Sequence, residues 1–277
     1  MSTTIKQHFY RNGQLGEEVP LKKGLRQGVV RTWHKNGALA REEPYKNDLP
    51  HGLCRQWDEK GRLLGKYRMI HGTGVERIWH DNGQIQMEIS LVSGEFCGRN
   101  RIWLADGALL SERFCLHRKE VSAAEYRAAA AKDKSLPRFR GRPGKVLPGN
   151  SATEKRKLRV FVKWLLKKPN RCEARKWLTQ SGTGKIGRAL GRFKREADAA
   201  KFVQSLYDAG ALKVVVPDIY ANQAGDQFAD CLVVRLPRDA SGRKAIRKVC
   251  AQLRTRRLGA IQPDEDVGES YLYLSLS

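Results

Sequence analysis

The sequence predicts a two-domain chain of mixed β and α/β class. An elongated antiparallel meander of β-hairpin repeats comes first, and a ferredoxin-like α+β domain follows. Three observations carry this reading. Five glycines, Gly13, Gly37, Gly61, Gly83 and Gly107, stand 24, 24, 22 and 24 residues apart. An aromatic residue precedes each by four positions: Phe9, Trp33, Trp57, Trp79 and Trp103. Beyond a basic Pro/Gly stretch, apolar strands and amphipathic helices alternate in the order βαββαβ.

Other positions keep the same phase. Leu15, Leu39, Leu63, Ile85 and Leu109 follow each glycine by two, and Gly28, Gly52, Gly74 and Gly98 lie nine before the later four. Each unit reads as one hairpin. Turn segments such as His34-Lys35-Asn36-Gly37 and His80-Asp81-Asn82-Gly83 close on glycine, for which a left-handed backbone carries little steric penalty. A lone hairpin is marginal in water, so stability must be shared between stacked neighbours. The third unit is two residues short, and Asp48 and Ile70 stand where Gly24 and Gly94 supply an extra turn glycine.

The recurring aromatic-x-x-Asn-Gly-x-Leu unit, with its Gly-x-x-x-x-Trp spacing, resembles the bacterial MORN-repeat-variant family, often labelled YwqK-family antitoxins. The resemblance spans about residues 5–117, and residues 1–120 are read as the MORN-type domain. Trp33, Trp57, Trp79 and Trp103 match the family's aromatic position. The resemblance implies an elongated, twisted β-meander that binds partners. On that ground the chain is expected to be a non-enzymatic protein–protein interaction module, antitoxin-like, with an acidic toxin as a suitable partner.

Arg31, Arg55, Arg77 and Arg101 each stand two residues before a repeat tryptophan, so each shares a strand face with it. Glu18, Glu42, Glu88 and Glu112 recur five residues after the turn glycine. Two readings follow. One is a structural ladder of cross-strand ion pairs and cation–π contacts, each contributing about a kcal/mol or less. The other is a binding platform for phosphates or an acidic partner. The tryptophans are expected to be structural: if Trp57 packs between hairpins, Trp57→Ala costs about 3–5 kcal/mol.

Residues 121–152 read as a short Ala-rich helix and a mobile, basic Pro/Gly linker. Residues 153–277 begin with a helix over Thr153–Lys168 whose apolar face holds Leu158, Phe161, Val162, Leu165 and Leu166. A second helix over Arg171–Gln180 precedes the ferredoxin-like elements. The formal net charge is +24, and residues 118–200 hold 24 Lys or Arg against 7 Asp or Glu. That field favours anionic partners. Nucleic-acid binding through this segment is therefore an alternative function, with Lys155, Arg156, Arg159, Lys163, Lys167 and Lys168 as its contacts. Association with an anionic membrane surface through residues 155–168 is another.

Motifs for catalysis are missing. Gly182-Thr183-Gly184-Lys185 lacks full phosphate-loop spacing and reads as a basic loop. Asp264, Glu265, Asp266 and Glu269 read as a solvated acidic patch. Six cysteines show no metal-ligand spacing and suit small core positions in a reducing compartment. No cofactor or metal is expected. No apolar run approaches a membrane span, and the N-terminus has no apolar signal core, so a cytoplasmic location is expected.

Overall fold

The computed structural model describes residues 3–139, 144–180, 187–251 and 266–276. They form two compact units, Met1–Leu147 and Pro148–Ser277.

The first unit is a meander in strict sequence order. Its long strands are β1 (Thr4–Phe9), β2 (Leu15–Lys22), β3 (Gly28–Trp33), β4 (Leu39–Lys46), β5 (Gly52–Trp57), β6 (Leu63–Ile70), β7 (Thr73–Trp79), β8 (Ile85–Val92), β9 (Gly98–Trp103), β10 (Leu109–Leu116) and β11 (Lys119–Val121). All their pairings are antiparallel, as the hairpin repeat requires. The five phased glycines all have φ between 76° and 86°. Each donates its N–H three residues back, as Gly37 does to the His34 carbonyl at 2.9 Å.

The opposite end of each hairpin is a two-residue turn with both residues at positive φ: Lys23–Gly24, Asn47–Asp48, His71–Gly72, Ser93–Gly94 and His117–Arg118. Turns of that hand match the twist of the flanking strands. Asp48 does take the place of a glycine, at φ 65°. Ile70 does not, because it is a strand residue paired with Thr73, and Gly72 is the turn glycine. The short third unit explains the shift. Other units return through a two-residue strand, such as Leu25–Arg26 or Leu49–Pro50, before their second glycine. The third goes straight from its turn into β7, and β6 pairs β7 only at Met69–Gly74 and Ile70–Thr73.

The core of this unit is thin and local. Cys54, Tyr67, Met69, Trp79 and Leu91 form one buried cluster at the short repeat. A second lies at the C-terminal edge, where helix α1 (Ala123–Lys132) packs on β10. Ser122 caps α1 reciprocally with Glu125, which satisfies two orphan N–H groups. Tyr126 and Ala130 turn inward against Phe114 and Cys97. The stretch read as a linker contributes Leu136 and Phe139 to this cluster, and the Tyr126 hydroxyl donates to the Pro137 carbonyl at 2.8 Å.

The second unit is layered. Its four-stranded antiparallel sheet runs β12 (Cys172–Glu173), β14 (Lys213–Val216), β17 (Cys231–Arg235), β18 (Tyr271–Ser275), with β13 assigned to Arg188–Leu190, β15 to Tyr220–Ala221 and β16 to Gln227–Ala229. Strand alternation sends Val214, Val216, Leu232, Val234, Leu272 and Leu274 to one face. There they meet α3 (Ala174–Thr179), α4 (Glu196–Asp208) and α5 (Ala240–Ala251) through Trp177, Phe202, Leu206 and Ile246. Val215, Val233 and Tyr273 face the other way and are covered by α2 (Ser151–Leu165) through Leu158, Val162 and Leu165.

This topology differs from the ferredoxin-like expectation. That fold would seat residues 188–190 inside the main sheet. Instead β17 pairs directly with β18, from Cys231–Ser275 to Arg235–Tyr271, and β13 runs parallel to β16 in a separate three-stranded sheet. Gly191 is the local cause. It sits at φ 46° with its N–H on the Ala229 carbonyl, and an added Cβ would lie 2.4 Å from the Leu276 carbonyl oxygen. The chain turns away after three strand residues, too few to span the sheet.

Candidate interaction surfaces

The repeat register brings the phased arginines and glutamates into one ladder. Glu18 pairs with Arg31, Arg31 with Glu42, and Glu42 with Arg55. After the short repeat the series resumes: Arg77 with Glu88, Glu88 with Arg101, Arg101 with Glu112. Arg31 Nε lies 3.0 Å from Glu42 and Arg77 Nε 2.9 Å from Glu88, while Arg55 and Arg101 reach the same two carboxylates from the far side. The break falls where Lys66 stands opposite Arg55. Arg101 also lies 4.6 Å over the Trp103 ring, as residues two apart on one strand allow.

Glu88, which takes an arginine from each side, is well enclosed, with its side chain 11% exposed. Burial opposes its charge, but hydrogen bonds from Arg101 and Arg77 outweigh that and hold its carboxyl below the usual range. A folded pKa below the unfolded value adds stability above the unfolded pKa, and that stability fades as pH falls through the folded one. Glu88→Gln is therefore expected to cost about 1–3 kcal/mol at neutral pH, with a smaller difference in acid. Urea unfolding of both proteins at pH 7 and pH 3 checks this, and a constant difference would contradict it.

Contacts between repeats also run through the Asn and His side chains of the turn segments. Asn36 Nδ2 donates 2.8 Å to the Glu59 carbonyl and Asn82 Nδ2 2.7 Å to the Ala105 carbonyl, 23 residues ahead in each case. The Oδ1 of each accepts from its own turn, from Ala38 and Gln84. His34 and His80 reach the Trp57 and Trp103 carbonyls at 3.0 and 2.9 Å, contacts that make each Nε2 a donor. These residues hold one hairpin to the next.

The tryptophans differ in role. Trp79 is 8% exposed, while Trp33, Trp57 and Trp103 are half-buried. Trp57, expected to pack between hairpins, is thus only partly covered. The ring of Trp79 lies on Gly65, where a Cβ would come within 2.2 Å. Gln56, whose register partner is Gly65, brackets the Trp79 main chain: it donates to the carbonyl at 3.0 Å and accepts from the N–H at 3.1 Å.

Behind the ladder lies a polar cluster at the short repeat. Arg41 contacts Glu43 at 2.6 Å and Glu76 at 3.6 Å, and the Tyr67 hydroxyl donates to Glu43. Burial, then the Glu43 charge, pushes Glu76 up, and burial pushes the Cys54 thiol up to about 11. Such a thiol is a protonated core group, in keeping with the structural reading of the cysteines.

The candidate polyanion contacts do not form one uniform set. Lys155, Arg159, Lys163 and Lys167 are exposed, and Arg156 is half-buried. Lys168 is buried, with Nζ 4.7 Å over the Trp164 ring. The apolar face of α2 is occupied by its own sheet.

Of the acidic residues read as a solvated patch, Asp266 is exposed but Glu269 is not. Glu269 is 2% exposed and pairs with Arg243 and Arg247, while Asp266 pairs with Arg243. Asp264, Glu265 and the Gly182–Lys185 segment lie outside the described residues. Among the described residues, no group of three His, Cys, Asp or Glu is placed to hold a metal ion, and no helix is long and apolar enough to cross a membrane.

The first unit is thus a repeat protein of stacked antiparallel hairpins. Its repeats are MORN repeat variants at residues 26–47 and 73–92, where the family model matches. Each matched segment spans one Asn-Gly turn, Asn36–Gly37 or Asn82–Gly83. No curated protein matches the chain.

Proposed function

We propose that this chain is a non-enzymatic interaction protein whose repeat sheet docks an acidic protein partner. The observation that supports this most is the openness of the sheet. Its strands are joined edge to edge, and across the first two repeats Val30 is the only described core residue. Ile5, Phe9, Leu63, Ile70 and Phe96 stay between 48% and 59% exposed. Exposed apolar side chains among charged ones suit a protein interface, and MORN repeats are commonly protein- or membrane-interaction modules. Residues 1–117 hold 18 Lys or Arg against 13 Asp or Glu, an excess that favours an acidic partner. Neutralising a toxin, the antitoxin-like role of YwqK-type proteins, is one form this binding takes. Arg31, Arg55, Arg77 and Arg101 serve it indirectly, because their charges are matched within the ladder.

A second reading is favoured by the exposed row Lys155, Arg159, Lys163 and Lys167, which suits the phosphates of nucleic acid. Insertion of α2 into an anionic membrane is less well supported, since its apolar face would first have to leave the sheet.

Capture on immobilised full-length chain, with and without nuclease treatment of the lysate, separates the readings. The proposal expects an acidic protein to remain bound after nuclease and to cross-link to residues 3–121. Loss of all captured material on nuclease treatment would overturn it in favour of nucleic acid.

A further inference from the structure

The sheet face under α2 continues past the end of that helix. Val215, Val233 and Tyr273 are covered, but two residues further along the same strands stand Lys213, Arg235 and Tyr271. These three are direct cross-strand neighbours: Lys213 opposite Arg235, and Arg235 opposite Tyr271. Helix α2 stops at Leu165, and the chain beyond it brings Arg171 to the same place. The result is a cavity of about 380 Å³ whose rim carries Arg171, Lys213 and Arg235 and whose lining includes Tyr271, Val215 and Val233.

Like charges placed directly opposite on neighbouring strands destabilise a sheet, and among the described residues neither Lys213 nor Arg235 forms an ion pair. Glu173 also lines the cavity, but its carboxylate is engaged elsewhere. It accepts from the Tyr207 hydroxyl and from the Arg175 and Lys176 N–H groups at 3.1 and 2.8 Å, which caps α3. Three cations therefore line the cavity beside apolar and aromatic side chains, and one of them, Arg171, also donates to the Lys168 carbonyl at 2.8 Å. The cavity volume falls in the range of small-ligand sites, which combine apolar walls with a few placed polar groups.

We propose that this cavity binds a phosphomonoester carried on a planar ring, as in a mononucleotide. A phosphomonoester carries about −1.5 to −2 charges at neutral pH, which suits three cations better than a single carboxylate would. The phosphate sits among Lys213, Arg235 and Arg171, and the ring lies against Tyr271, beyond the end of α2. The same chemistry is available from a free mononucleotide or from the 5′-phosphorylated end of a nucleic-acid strand. The site lies wholly in the second unit and does not depend on partner docking by the repeats.

Calorimetric titration of the full chain tests this with adenosine monophosphate, adenosine, inorganic phosphate, and a short DNA strand with and without a 5′-phosphate. Adenosine monophosphate is expected to bind at least about tenfold tighter than either adenosine or phosphate. Lys213→Gln with Arg235→Gln is expected to weaken it by at least about tenfold at equal or higher thermal stability, since the opposed like charges are removed. Should that pair of changes unfold the chain, Lys213→Gln alone is read instead, with a smaller loss expected. Tighter binding of the 5′-phosphorylated strand than of the mononucleotide assigns the source to a nucleic-acid end, and the reverse order to a free nucleotide. Affinity no better than that of phosphate alone, or unaffected by the substitutions, overturns the proposal.

Discussion

Trp79→Ala is expected to lower the unfolding free energy of the repeat unit by about 3–5 kcal/mol, the range for removing a large buried aromatic side chain. Trp57→Ala is expected to cost less than half as much, because Trp57 is half-buried at the equivalent position. The difference comes from the short third repeat. There β6 and β7 pair only next to their turn, and the Trp79 ring fills the opening above Gly65. It packs in a cluster with Tyr67, Met69, Cys54 and Leu91. The same geometry makes Gly65 a sensitive position. Gly65→Val places carbon where the Trp79 ring lies and is expected to cost about 1–3 kcal/mol through overpacking. Denaturant unfolding of the three variants checks both statements. Equal losses for Trp79 and Trp57 would contradict the special role of the short repeat.

The second large effect is expected at Arg243. This side chain is 9% exposed and joins α5 to the segment before β18. It pairs with Asp266 and with Glu269 at 3.3 Å, and donates to the Glu269 carbonyl at 2.6 Å. Arg247 binds the other Glu269 oxygen. Removing Arg243 leaves Glu269 buried with one cation fewer, so Arg243→Ala is expected to destabilise the second unit by about 3–5 kcal/mol. Arg243→Met combined with Glu269→Gln should recover part of this by removing the stranded charge. The hydrogen bonds from Arg243 hold the Asp266 carboxyl well below the usual carboxylate range, against a desolvation cost. A depressed acid stabilises the fold above its unfolded pKa, near pH 4 for Asp, and that contribution is lost as pH falls further. The gap between wild type and Arg243→Ala should therefore be full at pH 7 and narrow below about pH 4. A gap that widens in acid would show that the pairing has been misread. Thermal unfolding across that range decides.

The repeat was legible because its signals are local. A glycine that must adopt positive φ and an aromatic residue four positions earlier define each hairpin without any knowledge of its neighbours. The facing of Arg31 and Trp33 followed from strand alternation alone, but the pairing of Glu42 with two arginines needed the register of both neighbouring strands. Asn36 and His34 were readable as turn residues. Their second bonds, to repeat units 23 residues away, exist only after stacking. In the second unit the apolar face of α2 was visible from its period, and the structure fills that face with Val215, Val233 and Tyr273. Sheet order was not visible, since it turned on Gly191 ending a strand after three residues. Glu269 looked solvated because its arginine partners lie more than twenty positions back in the chain. The rim of Lys213 and Arg235 was hidden for the same reason, as each is an ordinary strand-end cation until the two strands pair.

The central claim is that the open hairpin sheet is the docking surface. Hydrogen–deuterium exchange of the full chain, alone and with its nuclease-resistant protein partner, tests it most directly. The account predicts new protection within residues 3–121, strongest on strands β1 to β4 where the sheet has least cover, with α2 unchanged. Protection confined to residues 151–168, with the repeat strands exchanging as in the free protein, would contradict it.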